Sequence, residues 1–419
     1  MATISAGGQP AIVHYERCAG SKCGHYRSAL VSGWQEEGPG ARRQFGRYFN
    51  GYLLYVNQGT LFAIAFDPDR METHGPANPI LNDVAYAPTF GYAQLDVSRT
   101  GTLVYRRNEA GGQFTAGWLD AAGRAEPLPL MPGNYAWPRI SPDGRRLALS
   151  AVESGTTSIW IYDMETNRTA RSGSHAKDYS IPIWATDGSA LVVGGLKGVA
   201  WLSAENLENP KRLTRSSGIQ IPWSFAPDGS RLAFFSYELN SSTAFDLWTI
   251  PVRTAGDSST VGSPELFLGS AAIETYPAFS PDGQWLAYAS NESGTLEVYV
   301  RTFPDNGTKV RVSDAGGLMP KWSPAGRELF YRTPDQRIMI ADYVAKDGLF
   351  APSKPRVWSN TRLADTGVIA NYDLSPDGKR ILALMPAEKK VRSQQTQNHV
   401  TFVVNFLDEV RRRMRLDRE

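Results

Sequence analysis

The residues best equipped for chemistry in this chain are few and scattered. His14, Cys18, Cys23 and His25 form an H-x3-C-x4-C-x-H run, four side chains of the kind that bind zinc. The spacing matches no common structural zinc module, and the run sits among glycines and serines, so incidental thiols are expected and no metal. Two cysteines cannot organise 419 residues through disulfides. The other histidines, His74, His175 and His399, stand far apart. There is no G-x-S-x-G elbow, no H-E-x-x-H, no P-loop and no dinucleotide signature, and Gly194, Gly195 and Gly198 precede no helical pattern. No cofactor is implied. For acid–base work there remain three carboxylates, Asp178, Glu274 and Asp373. Brought together, they could cleave a carbohydrate or peptide as a hydrolase or lyase would; separately, they are hydrogen-bonded loop carboxylates.

Lys and Arg number 44 against 42 Asp and Glu, a net charge of +2, so no general field draws the chain to nucleic acid or anionic lipid. No apolar run approaches the roughly 20 residues of a membrane helix, and the first thirty residues lack a leader-like core. Taken as it stands the sequence is expected to be cytoplasmic and without membrane insertion. As part of a longer exported protein it would be periplasmic or extracellular. The basic stretch Arg411 to Arg415, flanked by Asp408, Glu409, Asp417 and Glu419, reads as a solvated terminal helix.

The elements that must position these groups announce themselves through a repeat. Ser-Pro-Asp-Gly occurs at 141–144, 280–283 and 375–378, with near copies at 185–188, 226–229 and 323–326 and weaker ones at 98–101 and 48–51. The closing glycines, at 51, 101, 144, 188, 229, 283, 326 and 378, recur 41 to 54 residues apart, the length of one propeller blade. Proline presets φ for the first central residue of a type I turn, aspartate suits the second, and glycine takes the left-handed position that closes a bulged hairpin. The turn aspartates Asp143, Asp187, Asp228, Asp282 and Asp377 are therefore structural rather than calcium ligands.

Apolar runs flank each turn. Ile140, Trp184, Phe225, Phe279, Trp322 and Leu374 precede it; runs such as Leu147-Ala148-Leu149 and Leu286-Ala287-Tyr288 follow. Such runs suit strands covered on both faces. A third strand (Ile159 to Tyr162, Val298 to Val300) and a more polar fourth (Lys211 to Thr214, Lys309 to Val312) complete each repeat. Four strands per repeat predict an all-β β-propeller. Eight turns favour eight blades; the alternative is six or seven blades with an N-terminal extension. On this reading residues 1–46 match the repeat poorly, 47–406 form the propeller, and 407–419 form a short helix through Leu407, Val410 and Met414. The last repeat would end with a strand at Val400 to Phe406, and Ala11 to Tyr15 could supply its outer strand and close the ring.

The run Tyr276-Pro277-Ala278-Phe279-Ser280-Pro281-Asp282-Gly283, with Leu286-Ala287-Tyr288 and Val298-Tyr299-Val300, resembles the WD40-like repeat of the TolB family of β-propellers. The wider pattern, including Gly59 to Ala63, Gly101 to Arg106, Asn291 to Gly294 and Val300 to Pro304, is similar to the propeller region that follows the kinase domain in bacterial receptor-type serine/threonine protein kinases. The resemblance covers roughly residues 48 to 410 and implies a role in bacterial signalling or envelope function. No kinase motif accompanies it.

A propeller offers its function at the mouth of the central channel, entered by the segment leading into each innermost strand. Those segments carry Tyr135, Trp137, Tyr179, Gln220, Trp223, Glu274, Tyr276, Met319, Asn371 and Tyr372. Aromatic and amide groups converging on a funnel suit a protein, peptide or glycan. The expected function is thus non-catalytic ligand sensing or protein–protein interaction by a monomer. Replacing Trp137 and Tyr276 with alanine is expected to weaken binding without unfolding.

Overall fold

The computed structural model describes residues 44–416 except 58, 71, 83, 88–91, 107–112, 154–155, 174–178, 238–243, 256–257, 347 and 388–399, together with three strands between residues 3 and 30. The chain divides into two compact units, one of residues 1–112, 154–156 and 389–419, the other of 113–153 and 157–388.

The second unit is built of antiparallel sheets that divide into four-stranded propeller blades, two of them, blades 3 and 4 below, joined through a single pair, Gly195 with Gln220. Blade 1 takes its two inner strands, Tyr372–Leu374 and Arg380–Pro386, from the end of the unit and its two outer strands, Phe114–Asp120 and Ala125–Pro127, from the beginning. Blade 2 runs from Tyr135–Ile140 through Arg146–Glu153 and Thr156–Asp163 to Arg168–Arg171, and blade 3 from Tyr179–Trp184 through Ala190–Gly195 and Gly198–Ser203 to Lys211–Arg212. Blade 4 comprises Ile219–Phe225, Arg231–Tyr237, Asp246–Ala255 and Glu265–Leu268; blade 5 comprises Glu274–Phe279, Trp285–Ser290, Glu297–Thr302 and Lys309–Arg311. Blade 6 comprises Leu318–Trp322, Glu328–Arg332, Ile338–Lys346 and Arg356–Ser359. The middle strands are buried along their length, Trp285–Ser290 at every residue, which is why their sequences are apolar runs without alternation.

The turns behave as their residues require. The N–H groups of Gly144, Gly188, Gly229, Gly283 and Gly378 donate to the carbonyl three residues earlier at 2.8–3.0 Å, with glycine φ between 68° and 75°. Ser141, Ser280 and Ser375 each hand their hydroxyl to the turn aspartate two residues on. Where alanine replaces that serine, at Ala185 and Ala226, Ser189 and Ser230 donate to Asp187 and Asp228 instead, at 2.8 Å.

These turns also touch one another in order. A β-carbon on Gly144 would stand 3.4 Å from Pro376 of blade 1; one on Gly188 would meet Pro142, one on Gly229 Thr186, one on Gly283 Pro227, and one on Gly378 Ala325. Blades 5 and 6 are joined by Trp322 Nε1, which donates to the Ala278 carbonyl at 2.9 Å. Every blade of this unit therefore contacts the next, and blade 6 returns to blade 1. The strand pairing draws six blades here. The turns ending at Gly51 and Gly101 belong to the other unit.

That unit holds an antiparallel sheet that includes Tyr52–Asn57, Thr60–Asp67 and Glu72–Leu81, and a small sheet of Leu95–Val97, Leu103–Arg106 and Val400–Val403. Its core gathers Leu54, Val56, Leu61, Ala63, Leu103 and Tyr105 with Phe406 and Val410 of the helix Phe406–Leu416. Two strand assignments differ from the sequence reading. Val400–Val403 pairs with Leu103–Arg106 rather than extending the last repeat, because Phe114–Asp120 already occupies the edge of Arg380–Pro386. Of the segment expected at Ala11 to Tyr15, Ala11 lies outside the described residues and the rest belongs to Ile12–Ala19, whose neighbours are Thr3–Ser5 and Lys22–Leu30. The side chains of His14, Cys18, Cys23 and His25 lie outside the described residues. Among the described residues no helix is long and apolar enough to cross a membrane.

Candidate functional site

The innermost strands are locked to one another by a repeated hydrogen bond. The residue four before a turn glycine bonds to the residue five before the glycine of the preceding blade. Trp184 Nε1 donates to the Arg139 carbonyl at 2.9 Å, and Trp322 Nε1 to that of Ala278. The Phe279 N–H donates to Ser224 Oγ at 3.0 Å, and the Ile140 N–H to Asp373 Oδ2 at 2.9 Å.

One or two residues earlier the inner strands bulge, with register shifts at Ala136/Arg139, Tyr179/Ile181, Pro222/Ser224, Thr275/Ala278 and Leu318/Lys321. Trp137, Tyr276 and Met319 sit there with φ of 55°, 59° and 56°. Each precedes a proline (Pro138, Pro277, Pro320), which disfavours the right-handed helical region, and a bulge re-aims the side chain it carries.

The consequence bears on all ten residues nominated from the sequence. Tyr135, Trp137, Tyr179, Gln220, Trp223, Glu274, Tyr276, Met319, Asn371 and Tyr372 are buried, none more than 6% exposed. Trp223 stands 4.8 Å from Tyr276 and 6.2 Å from Trp137, ring centre to ring centre, with Phe235 against both Trp223 and Tyr276. Tyr372 Oη donates to the Met319 carbonyl and Tyr276 Oη to that of Val368. Asn371 Nδ2 donates to the Ala364 carbonyl, and Gln220 Oε1 accepts from Thr214. Rather than standing open, Trp137, Trp223 and Tyr276 interlock and Tyr372 is tied to Met319, forming a packed axial plug, while Tyr135 lies against Trp160 and Tyr179 shares a core with Trp184 between the blades.

Within the plug lies a charged cluster. The Arg139 guanidinium of blade 2 stacks 4.5 Å over the Trp223 ring, and the Lys321 ammonium of blade 6 approaches the same ring at 5.3 Å. Blades 2, 4 and 6 alternate around the ring, so side chains from all three meet only at its axis. Lys321 Nζ pairs with Asp373 Oδ1 at 2.7 Å. Burial, reinforced by Arg139 and opposed by Asp373, pushes the Lys321 ammonium down to about 8, and burial also lowers Arg139.

A concavity opens beside this axis. A cavity of about 620 Å³ is bounded by 295–297 at the head of the third strand of blade 5, by 314–318 leading from blade 5 into blade 6, by the loop 334–336 of blade 6, and by the approach to blade 1 at 365–368. Two buried charges stitch its walls. Glu297 accepts from Arg311, Ser313 and the Gly316 N–H, fixing one loop. Arg332 donates to Thr366 Oγ1 and to the Gly367 and Ile369 carbonyls, fixing the other. Leu296, Leu318, Pro334 and Val368 give apolar walls; Asp314 and Asp365 stand at the rim. Sequence reading passed over Arg332. The available signal was its place six residues after Gly326, where the other five repeats of this unit carry Ser150, Gly194, Phe235, Ala289 and Leu384.

Of the candidate carboxylates, Glu274 and Asp373 are each engaged with different partners. Asp178 lies outside the described residues. Glu274, raised above the usual carboxylate range by burial and by Asp246, accepts from Ser270 with Oε1. Asp373 is committed to Lys321 and Ile140. Among the described residues no group of three or more His, Cys, Asp or Glu side chains could hold a metal ion.

No family model matches the chain. A TolB homologue of Chlorobium luteolum is 29% identical over 137 residues, 32% of this chain and 30% of that protein. The Tol-Pal system protein TolB of Bordetella pertussis is 26% identical over 198 residues, 46% of this chain and 44% of that protein. The chain thus spans less than half the length of these curated relatives. Among solved structures, a TolB from Agrobacterium tumefaciens aligns with a TM-score of 0.49 at 15% identity, over 66% of this chain and 99% of that one.

Proposed function

We propose that this TolB-like β-propeller is a non-catalytic interaction module that seizes an extended segment of a partner protein in the cleft beside Arg332. The observation that carries the reading is the cleft itself, about 620 Å³ walled by Leu296, Leu318, Pro334 and Val368 and rimmed by Asp314 and Asp365. Apolar walls with a few fixed polar groups are the usual make-up of a recognition site, and the acidic rim favours a basic side chain flanked by apolar ones. The name of the Bordetella relative places that protein in the Tol-Pal system, and the likeness supports an envelope role here. The runs at Gly59 to Ala63 and Val300 to Pro304 support the finer link to propellers of receptor-type kinases. A monomer suffices for this reading.

A displayed library of random peptides selected on the chain tests it. Recovered peptides should carry a basic residue beside apolar ones, and should lose at least ~10-fold in affinity to Val368→Asp and to Asp314→Lys. Both positions are exposed, so the thermal midpoint of each variant should stay unchanged. Peptides that bind both variants as well as the parent would refute the cleft as the site.

A further inference from the structure

The plug carries more positive charge than its own residues answer. Arg139 is 3% exposed and donates only Nη1, to the Pro138 carbonyl at 3.2 Å; its Nε and Nη2 meet no acceptor among the described residues. Lys321 faces the same indole. One carboxylate serves both cations, and its two oxygens are already taken, Oδ1 by Lys321 and Oδ2 by the Ile140 N–H. The Trp223 ring offers Arg139 its π face, which attracts a cation but accepts nothing from Nε–H or Nη2–H in the guanidinium plane. A buried guanidinium with an unanswered edge is costly, and two in-plane donors side by side are the geometry that holds an anion.

We propose that the axial plug binds one small monovalent anion of halide size against the Nε/Nη2 edge of Arg139, with Lys321 supplying the second positive charge. Arg139 stacks over Trp223, and that ring is itself packed against Trp137 and Tyr276. Such a wall suits a weakly hydrated monatomic ion better than a doubly charged phosphate, whose desolvation it could not offset. The anion would bring the cluster to two positive and two negative charges and tie blades 2 and 6 to a common centre, so its effect is on the ring rather than on the cleft.

Crystals of the full chain soaked in bromide, with data collected at the bromine edge, give a direct reading. An anomalous peak within ~3.5 Å of Arg139 Nε is expected; no peak beside Arg139, in crystals that show bromide elsewhere, overturns the site. In solution, the line width of the chloride-35 NMR signal reports bound chloride. Native protein should broaden it beyond Arg139→Gln, with Lys321→Met in between. Equal broadening by native protein and Arg139→Gln overturns the proposal. Should Arg139→Gln fail to fold, the bromide map on native protein decides alone.

Discussion

Asp373 accepts the backbone N–H of Ile140 across 233 residues of sequence, at 2.9 Å, and in doing so closes the one inter-blade seam that chain order does not close. Blade 1 is assembled from both ends of its unit, so nothing in the covalent chain holds Tyr372–Leu374 against Tyr135–Ile140. At the equivalent seam between blades 4 and 5 a hydroxyl, Ser224 Oγ, suffices. Here the acceptor is a carboxylate, and its other oxygen draws in Lys321 from blade 6. One side chain thus spans blades 6, 1 and 2.

Removing that charge should therefore cost more than one hydrogen bond. Asp373→Asn removes the one carboxylate that answers the buried Arg139 and Lys321, a loss of about 3 kcal/mol. Lys321→Met alone should cost far less, and adding it to Asp373→Asn should recover part of the loss. Urea unfolding of the two single variants and the double variant gives the coupling directly. Additive effects would mean that the pair does not act as a unit.

Trp137→Ala should destabilise rather than merely weaken binding. The indole is fully buried, it meets Trp223 edge to face, and truncating a buried tryptophan costs roughly 3–5 kcal/mol. Thermal denaturation followed by far-UV circular dichroism should show a clear drop in midpoint. A variant as stable as the parent would return Trp137 to the role of an exposed contact residue.

The turns were the most legible part of the fold, since proline, aspartate and glycine are chosen there by local dihedral demands that no tertiary contact overrides. The middle strands were nearly as clear, because burial on both faces writes an unbroken apolar run. Where a strand finds its partner was not legible: Val400–Val403 and Phe114–Asp120 have similar composition, and only the geometry of closure assigns the second to blade 1. The orientation of Trp137, Tyr276 and Met319 was hidden for a related reason. A bulge ahead of proline turns them into the axis, and sequence spacing carries no record of a bulge. Arg332 and Glu297 shape the cleft through backbone carbonyls and N–H groups, which have no sequence signature.

Glu274 is buried with Oε2 unmatched among the described residues, and burial raises its carboxyl above the usual range. Between the ordinary value and the raised one the folded chain holds more protons than the unfolded chain, so stability falls as pH rises through that window. Glu274→Gln removes the charge while keeping an acceptor for Ser270. The variant should be more stable than the parent by about 1 kcal/mol at pH 7, and the gap should vanish below about pH 4. Denaturant melts at several pH values test this; a variant less stable at neutral pH would mean that the carboxylate is doing something the amide cannot.

Lys321 makes the opposite prediction at the alkaline end. Its ammonium titrates at about 8 in the folded chain against 10.5 for an unperturbed lysine, so between those values the unfolded chain binds the extra proton and stability rises with pH. Below about pH 8 the burial penalty is present in full; it is relieved as the folded-state proton leaves. Other groups also titrate in that range, so the quantity to measure is the difference in unfolding free energy between the parent and Lys321→Met from pH 7 to 10.5. That difference should shift in favour of the parent as pH climbs. A flat difference would place the Lys321 titration outside the window, and would mean that its pairing with Asp373 outweighs the desolvation and the repulsion from Arg139.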